Sequence, residues 1–363
     1  MRWKGCLWIG VFVMAIGFVA AGETILVHPG DDIQAAIDGA SAGDTIQLAA
    51  GTYDVAATIE IDKGIILEGA GSATVRGTSD AARNVFKITA SDVTLQDLAI
   101  TLSDTYALGG ELEDCLIGIP NNAGLSGIVI QRNTLYWPDQ AGSMSDWGGR
   151  AITIGSSGVT EVTISGNTVY NTRNGIVVRY GNTATITGNT VYNTKGGVMN
   201  YTSNQADADN RTVAGNSWGA VHNEWDIVWN SANYDPDYQA SVIALSGQNN
   251  GAYVVDRRDA AGGHTTGNRS HVFVNATGTP VVHECNGNMN APYSTLALGF
   301  DGVAAGGTIY LAAGDYKGLS LTRRFTSTAR TLAGRSSRVA WPTRRRLRGT
   351  RRRSGWTLEP MER

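Results

Sequence analysis

The segment Gly166-Asn167-Thr168-Val169-Tyr170-Asn171-Thr172 recurs unchanged as Gly188-Asn189-Thr190-Val191-Tyr192-Asn193-Thr194, with Asn189 following Asn167 by 22 residues. A period of that length marks a solenoid, in which each repeat is one coil stacked on the next. Propeller blades need roughly 40–50 residues, and a sandwich needs no repeat at all. The repeat predicts columns of like residues: Ile164 over Ile186, Val169 over Val191, Ile176 over Val198 and Asn171 over Asn193. Neighbouring coils then pair as parallel strands about 4.8 Å apart.

Short alternating apolar runs separated by Gly, Asn, Asp or Ser fill the chain on both sides of the repeat. Thr45 to Leu48, Val93 to Leu102, Ala151 to Ile154 and Gly175 to Val178 are examples. With 46 Gly and 8 Pro, the composition suits short strands and tight turns. Before them, Asp31-Asp32-Ile33-Gln34-Ala35-Ala36-Ile37-Asp38 spaces its apolar residues for one amphipathic helix, with an Asp pair to cap it. The expectation is an all-β, single-stranded parallel β-solenoid whose short N-terminal helix covers the open edge of the first coil. At about 22–25 residues per coil, residues 45–290 would make roughly ten coils.

The run Ile33-Gln34-Ala35-Ala36-Ile37…Gly43-Asp44-Thr45-Ile46-Gln47-Leu48-Ala49-Ala50-Gly51-Thr52-Tyr53, followed by Ile65-Ile66-Leu67-Glu68-Gly69-Ala70-Gly71, resembles the capped start of secreted proteins of the pectin-lyase-like superfamily. The GNTVYNT coils are similar to that superfamily's generic repeat. The resemblance covers residues 23–220 and implies a right-handed parallel β-helix. It leaves activity open, since lyases, glycosidases, tailspikes and adhesins share this fold. The full Asn-x-Asp, Asp-Asp, Gly-His-Gly and Arg-x-Lys set of its polygalacturonase-like glycosidases is not found: the Asp-Asp pair Asp31-Asp32 is in the cap helix, and His264 follows Gly262-Gly263 with no Gly after it. The Arg-x-Pro-x-x-Arg of its pectate-lyase-like members is missing too.

The two ends read differently from the body. Residues 1–22 have the form of an export signal, with Arg2 and Lys4 before an uncharged run from Cys6 to Ala20 and small residues after it. This places the mature protein outside the cell or on its surface, or in a periplasm, with no membrane span once the signal is removed. Thr308 to Tyr316 matches Thr45 to Tyr53 at 7 of 9 positions, so residues 291–322 read as the truncated start of a second β-helix after the first, residues 23–290. Residues 323–363 hold 13 Arg and 2 Glu, a net of +11; as the whole chain is −3, residues 1–322 carry −14. That tail reads as a basic arm, or else as a disordered or frame-shifted end. Cys115 and Cys285, many coils apart along the chain, read as separate buried thiols rather than a disulfide.

Candidate site residues cluster where the period carries charge or breaks. Arg173 aligns with Lys195 one coil on, and Arg179 follows nearby; the set could hold an acidic saccharide or supply the base of a β-eliminating lyase. Trp137 and Trp147 with Arg150 lie in a loop that interrupts the period, where solenoids place binding sites. Trp218, Trp225, Trp229 and Tyr234 could stack on sugar faces or close the last coil. Asp207 and Asp209 offer oxygen ligands to calcium, the one cofactor the sequence suggests. The expected partner is a polysaccharide or surface glycan, not nucleic acid. Three readings follow: a glycan-binding or structure-forming surface protein, a polysaccharide lyase or glycosidase acting on an acidic glycan, or a non-catalytic module of a larger surface protein.

Overall fold

The computed structural model describes residues 22–103, 114–202 and 210–219, apart from 83, 122–123, 141–146 and 156. Beyond them it describes 223, 225–231, 244–250, 252, 254–256, 269–276, 292–312, 316, 328–331, 342–352 and 355–360. The predicted export signal, Asp207, Asp209, Tyr234, Cys6 and Cys285 lie outside the described residues.

Three long parallel sheets are wound by one chain that visits each in turn. The first sheet has eight strands, from Thr24–Val27 and Thr45–Leu48 to Ala184–Thr187 and Arg211–Ala214. The second has six, from Gly51–Val55 to Thr190–Tyr192. The third has eight, from Ile59–Ile61 to Val254–Asp256. The architecture is mostly β, parallel and solenoid-like. Each predicted column is present: Ile164 pairs with Ile186, Val169 with Val191 and Ile176 with Val198, while the Asn171 amide donates to the Asn193 carbonyl.

The core fills the inside of the coils. In the third sheet, Ile117, Ile152, Ile176, Val198, Ile227 and Val254 form one continuous column, all fully buried. Each such side chain contributes roughly 1.5–3 kcal/mol relative to exposure. The helix Ile33–Gly39 covers the first coil with Ile33 and Ile37, and its Asp32 cap accepts from the Gln34 and Ala35 amides.

Tight corners join the first sheet to the second. Asp97, Arg132, Gly166, Gly188 and Gly215 take positive φ there, and the next residue is Asn in four of the five corners. Gly or a flexible polar residue thus bears the left-handed turn, freeing Asn133, Asn167, Asn189 and Asn216 to point inward. Each inward Oδ1 accepts the main-chain N–H of the preceding corner, and each Nδ2 donates to a strand carbonyl one coil back, as Asn167 does to Ile130 at 2.9 Å. Asn249 extends the ladder by one rung.

Coil length departs from the sequence expectation. Along one column of register partners in the first sheet, Gln47 and Glu68 are separated by 21, Glu68 and Gln96 by 28, and Gln96 and Gln131 by 35. Among the described residues the longest sheets have eight strands, and the last strand of the third ends at Asp256. Inserted loops lengthen individual coils without breaking the stack, because parallel pairing constrains strands and not the connections between them.

The described residues between 269 and 316 repeat features of the start of the chain. The helix Leu296–Gly302 takes the place that Ile33–Gly39 has in the first copy, with Thr295 capping it where Asp32 caps the first. Val274 pairs with Leu311 as Val27 pairs with Leu48. The Tyr316 hydroxyl bonds the Val274 and Ala312 carbonyls at 3.0 and 2.9 Å, and Tyr53 bonds Val27 and Ala49 at 2.8 and 2.9 Å. The two segments thus share a side-chain-capped seven-residue helix and a Tyr hydroxyl set on two carbonyls. In the Arg-rich tail the backbone forms antiparallel strands over Thr328–Thr331, Pro342–Arg352 and Gly355–Pro360. Backbone pairing needs no side-chain alternation.

Candidate functional site

The outer face of the third sheet gathers the most chemistry. Strands here are short, so one residue between two inward apolar neighbours must point out. Glu60 lies between Ile59 and Ile61, and Lys87 between Phe86 and Ile88; both apolar pairs are buried. The register runs from Glu60 to Lys87, Gly118, Thr153 and Val177 across five successive strands. Arg179 stands just beyond Val177 and Val178.

Gly118 and Gly155 leave a hollow between these groups. A pocket of about 520 Å³ opens there, walled by Glu60, Asn84, Lys87, Cys115, Thr153 and Arg179. Its volume lies within the range of small-molecule sites, roughly 300–1,000 Å³. Lys87 and Arg179 stand about three strand spacings apart along the sheet, about 14 Å. The Lys87 Nζ donates to Glu60 Oε1 at 3.0 Å, as does the Thr89 hydroxyl at 3.2 Å, and the Lys87 bond holds the Glu60 carboxyl below its usual range. With one carboxylate and two cations, the wall is net positive on an acidic body. The Thr153 hydroxyl is nine-tenths buried and has no hydrogen-bond partner.

The structure divides the sequence-predicted residues. Arg179 lines the pocket. Arg150 opens the strand Arg150–Ile154, buried, with Cys115 and Asn174 as its neighbours in the sheet. Arg173 and Lys195 sit on consecutive coils as predicted, yet neither lines the pocket. Arg173 donates to the Trp147 carbonyl at 3.2 Å, and the Lys195 ammonium lies 5.5 Å from the centre of the Trp225 ring. The predicted like-charge column is thus drawn to separate partners, a carbonyl and an aromatic face.

The tryptophans are corrected more sharply. Trp137 is fully buried, with its indole N–H on the Arg150 carbonyl at 3.3 Å and Gly149 packed against its ring. Trp218 is buried in the same core and donates to the Asn249 carbonyl at 2.7 Å. Neither offers a ring face to a saccharide; they fill coil interiors that a β-branched residue is too small to fill. Trp147 and Trp225 are also buried, Trp225 in an outer-face cluster with Val177, Met199 and Val228. Trp229 is half-buried on the strand Trp225–Ser231.

Lys87, Glu60, Asn84 and Thr153 are not among the residues that sequence reasoning singles out, and Cys115 enters it only as a buried thiol. A signal existed for two of them: a single charge between two β-branched or aromatic residues, in strands that pair. Their convergence was hidden by the unequal lengths of successive coils at this face. Among the described residues, no group of three His, Cys, Asp or Glu side chains could hold a metal ion, and no helix is long and apolar enough to cross a membrane. In comparisons with known proteins, no family model and no curated protein matches the chain.

Proposed function

We propose that this protein is a right-handed parallel β-helix of the pectin-lyase-like kind, exported from the cell, that binds an acidic glycan across the outer face of its third sheet. The observation that carries the reading is the pocket between Lys87 and Arg179, floored by Gly118 and Gly155. Two cations about 14 Å apart suit carboxylates on different residues of one saccharide chain. The exposed Asn84 side-chain amide supplies a neutral hydrogen bond of the kind sugar hydroxyls need. Glu60 neutralises Lys87 in part, so binding exchanges one carboxylate contact for another rather than leaving a bare ammonium.

Lyase activity is the second reading, and it is favoured by one observation: Arg179, a candidate base, lines the same pocket. Hydrolysis has less support, because it needs two carboxylates, and Glu60 is the one carboxylate among the described pocket residues. Titration calorimetry with oligouronates and with neutral oligosaccharides of equal length tests the proposal. Uronate binding that weakens on Lys87→Gln and Arg179→Gln supports it. Growth of the ultraviolet absorbance of an unsaturated uronate, lost on Arg179→Gln, supports the lyase. Absence of binding to both sugar classes leaves the structural-module reading.

A further inference from the structure

The first strand of the solenoid starts where the export signal of the sequence ends. Glu23 precedes the strand Thr24–Val27, and Asp44 precedes its partner Thr45–Leu48, with Thr24 and Thr45 in register. Across that end of the ladder the Glu23 main-chain N–H donates to Asp44 Oδ1 at 2.8 Å, and the Thr45 N–H donates to the Glu23 carbonyl at 2.8 Å. The other carboxylate oxygen accepts from the Ser41 N–H at 2.7 Å, which fixes the turn leading out of the capping helix. Asp44 is buried, yet these partners are amides, and among the described residues no Lys or Arg is ion-paired with it. Buried carboxylates are ordinarily matched by a cation. Gly22 and Glu23 are both exposed, so the bond between them is open to attack. A Cβ at residue 22 would collide with the Gly43 carbonyl oxygen, so a chain running on before Glu23 is crowded against the same turn. The second copy supplies an internal comparison. Its Val274 pairs with Leu311 as Val27 pairs with Leu48, but the residue before Thr308 is Gly307, where the first copy has Asp44 before Thr45. The carboxylate is thus present in the copy that follows the leader and missing from the copy whose first strand lies mid-chain.

We propose that the leader is removed between Gly22 and Glu23, and that the α-ammonium so made forms an ion pair with Asp44 that ties down the first coil. The reaction is hydrolysis by a leader peptidase of the export machinery. The water oxygen bonds to the Gly22 carbonyl carbon and the C–N bond breaks. Gly22 leaves as a carboxylate, and the Glu23 nitrogen keeps the electron pair and is protonated to an ammonium. A neutral donor is thereby replaced by a charged one at the same atom, facing the same oxygen, which gives a shorter and stronger bond. Glu23 and Asp44 flank the outermost strand pair of the first sheet, so the tie closes the edge at which the stack would otherwise fray. The first coil is completed by processing, and the precursor lacks this bond. This rests on the export reading and not on the glycan.

The test starts with the intact mass of the full chain after export to a bacterial periplasm, which is expected to show Glu23 as the first residue. Forms beginning at Glu23 and at Gly22, each released from a cleavable fusion, then isolate the ammonium. The Glu23 form should melt about 2–4 °C higher, a difference that Asp44→Asn abolishes. Asp44→Asn should also speed acylation of the Glu23 α-amine by an activated ester about fivefold or more, because the ion pair withholds the free amine. That rate is read on the N-terminal peptide by mass spectrometry, so it reports the pairing even where the Asn variants are less stable. A melting difference and an acylation rate that both ignore Asp44→Asn overturn the proposal. Export with cleavage at another bond would sink this proposal alone; a chain that is neither exported nor cleaved would sink the export reading with it.

Discussion

Replacing Asn189 with Ala tests what holds the coils in register. Asn189 is fully buried. Its Oδ1 accepts from the Asn167 main-chain N–H and from Asn167 Nδ2, both at 3.0 Å. Its Nδ2 donates to the Ile164 carbonyl at 2.9 Å and to Asn216 Oδ1 at 3.0 Å. Truncation removes these bonds and leaves a buried main-chain N–H without an acceptor. At about 1 kcal/mol per net bond, with more for the stranded N–H, the loss should be about 3–5 kcal/mol. Asn193→Gly is the control: that side chain is half-buried, makes one side-chain bond to Asn171, and sits at φ 50°, which Gly adopts freely. Its effect should stay within about 0.5 kcal/mol, as the lost bond is offset by relief of the turn. Urea unfolding followed by fluorescence gives both values, and amide exchange of the neighbouring coils shows whether the loss is local, as a one-dimensional stack allows. A loss under about 1 kcal/mol for Asn189→Ala would mean that the ladder follows the stack rather than holding it.

Acid should loosen the N-terminal coils first. Main-chain donors from Ser41 and Glu23 lower the pKa of Asp44, the Arg76 hydrogen bond lowers that of Asp54, and the Lys87 bond lowers that of Glu60. A depressed carboxylate pKa gives stability that is present above the unfolded value and lost as pH falls through the folded one. Amide exchange in residues 44–69 should therefore accelerate below about pH 4, before that of residues 162–192. At the other extreme, Tyr170 is stacked 5.0 Å from both Tyr136 and Tyr192, and burial with those neighbours pushes its pKa to about 12. The unfolded phenol ionises near 10, so stability should fall between about pH 10 and 12, with a late step in the phenolate absorbance that Tyr170→Phe removes. Finally, if the tail from Arg323 is out of frame, another frame of the same gene should continue the second copy with a coil like Ile59 to Gly71; random sequence there would leave the basic-arm reading.

Stacking made the scaffold legible. A parallel coil puts chemically equal residues over one another, so one repeated heptapeptide is enough to assign the columns Ile164/Ile186 and Val169/Val191. The cap was legible for the same reason at Ile33, Ile37 and Asp32. The site was less so. Trp137 and Trp218 attract attention as recognition residues, yet coil cross-section decided their fate, and cross-section is not written in local periodicity. The pocket residues come from five coils of unequal length, so no fixed spacing announces Glu60, Lys87, Cys115, Thr153 and Arg179 as neighbours. Arg173 and Lys195 stack as the repeat predicts but serve a different role, because the Trp147 carbonyl and the Trp225 ring that engage them lie far off in sequence.

Everything proposed for function passes through the two cations of the pocket. Calorimetric titration of the intact protein with an oligouronate, at low and moderate salt, measures their part directly. The account predicts measurable binding that weakens with salt, falls at least about tenfold on Lys87→Gln and on Arg179→Gln, and is unchanged by Arg132→Gln, whose guanidinium is held by Asp97 at 2.7 Å on the first-to-second-sheet corner. Binding that is equal in all three variants, or equally strong for a neutral oligosaccharide, would contradict it.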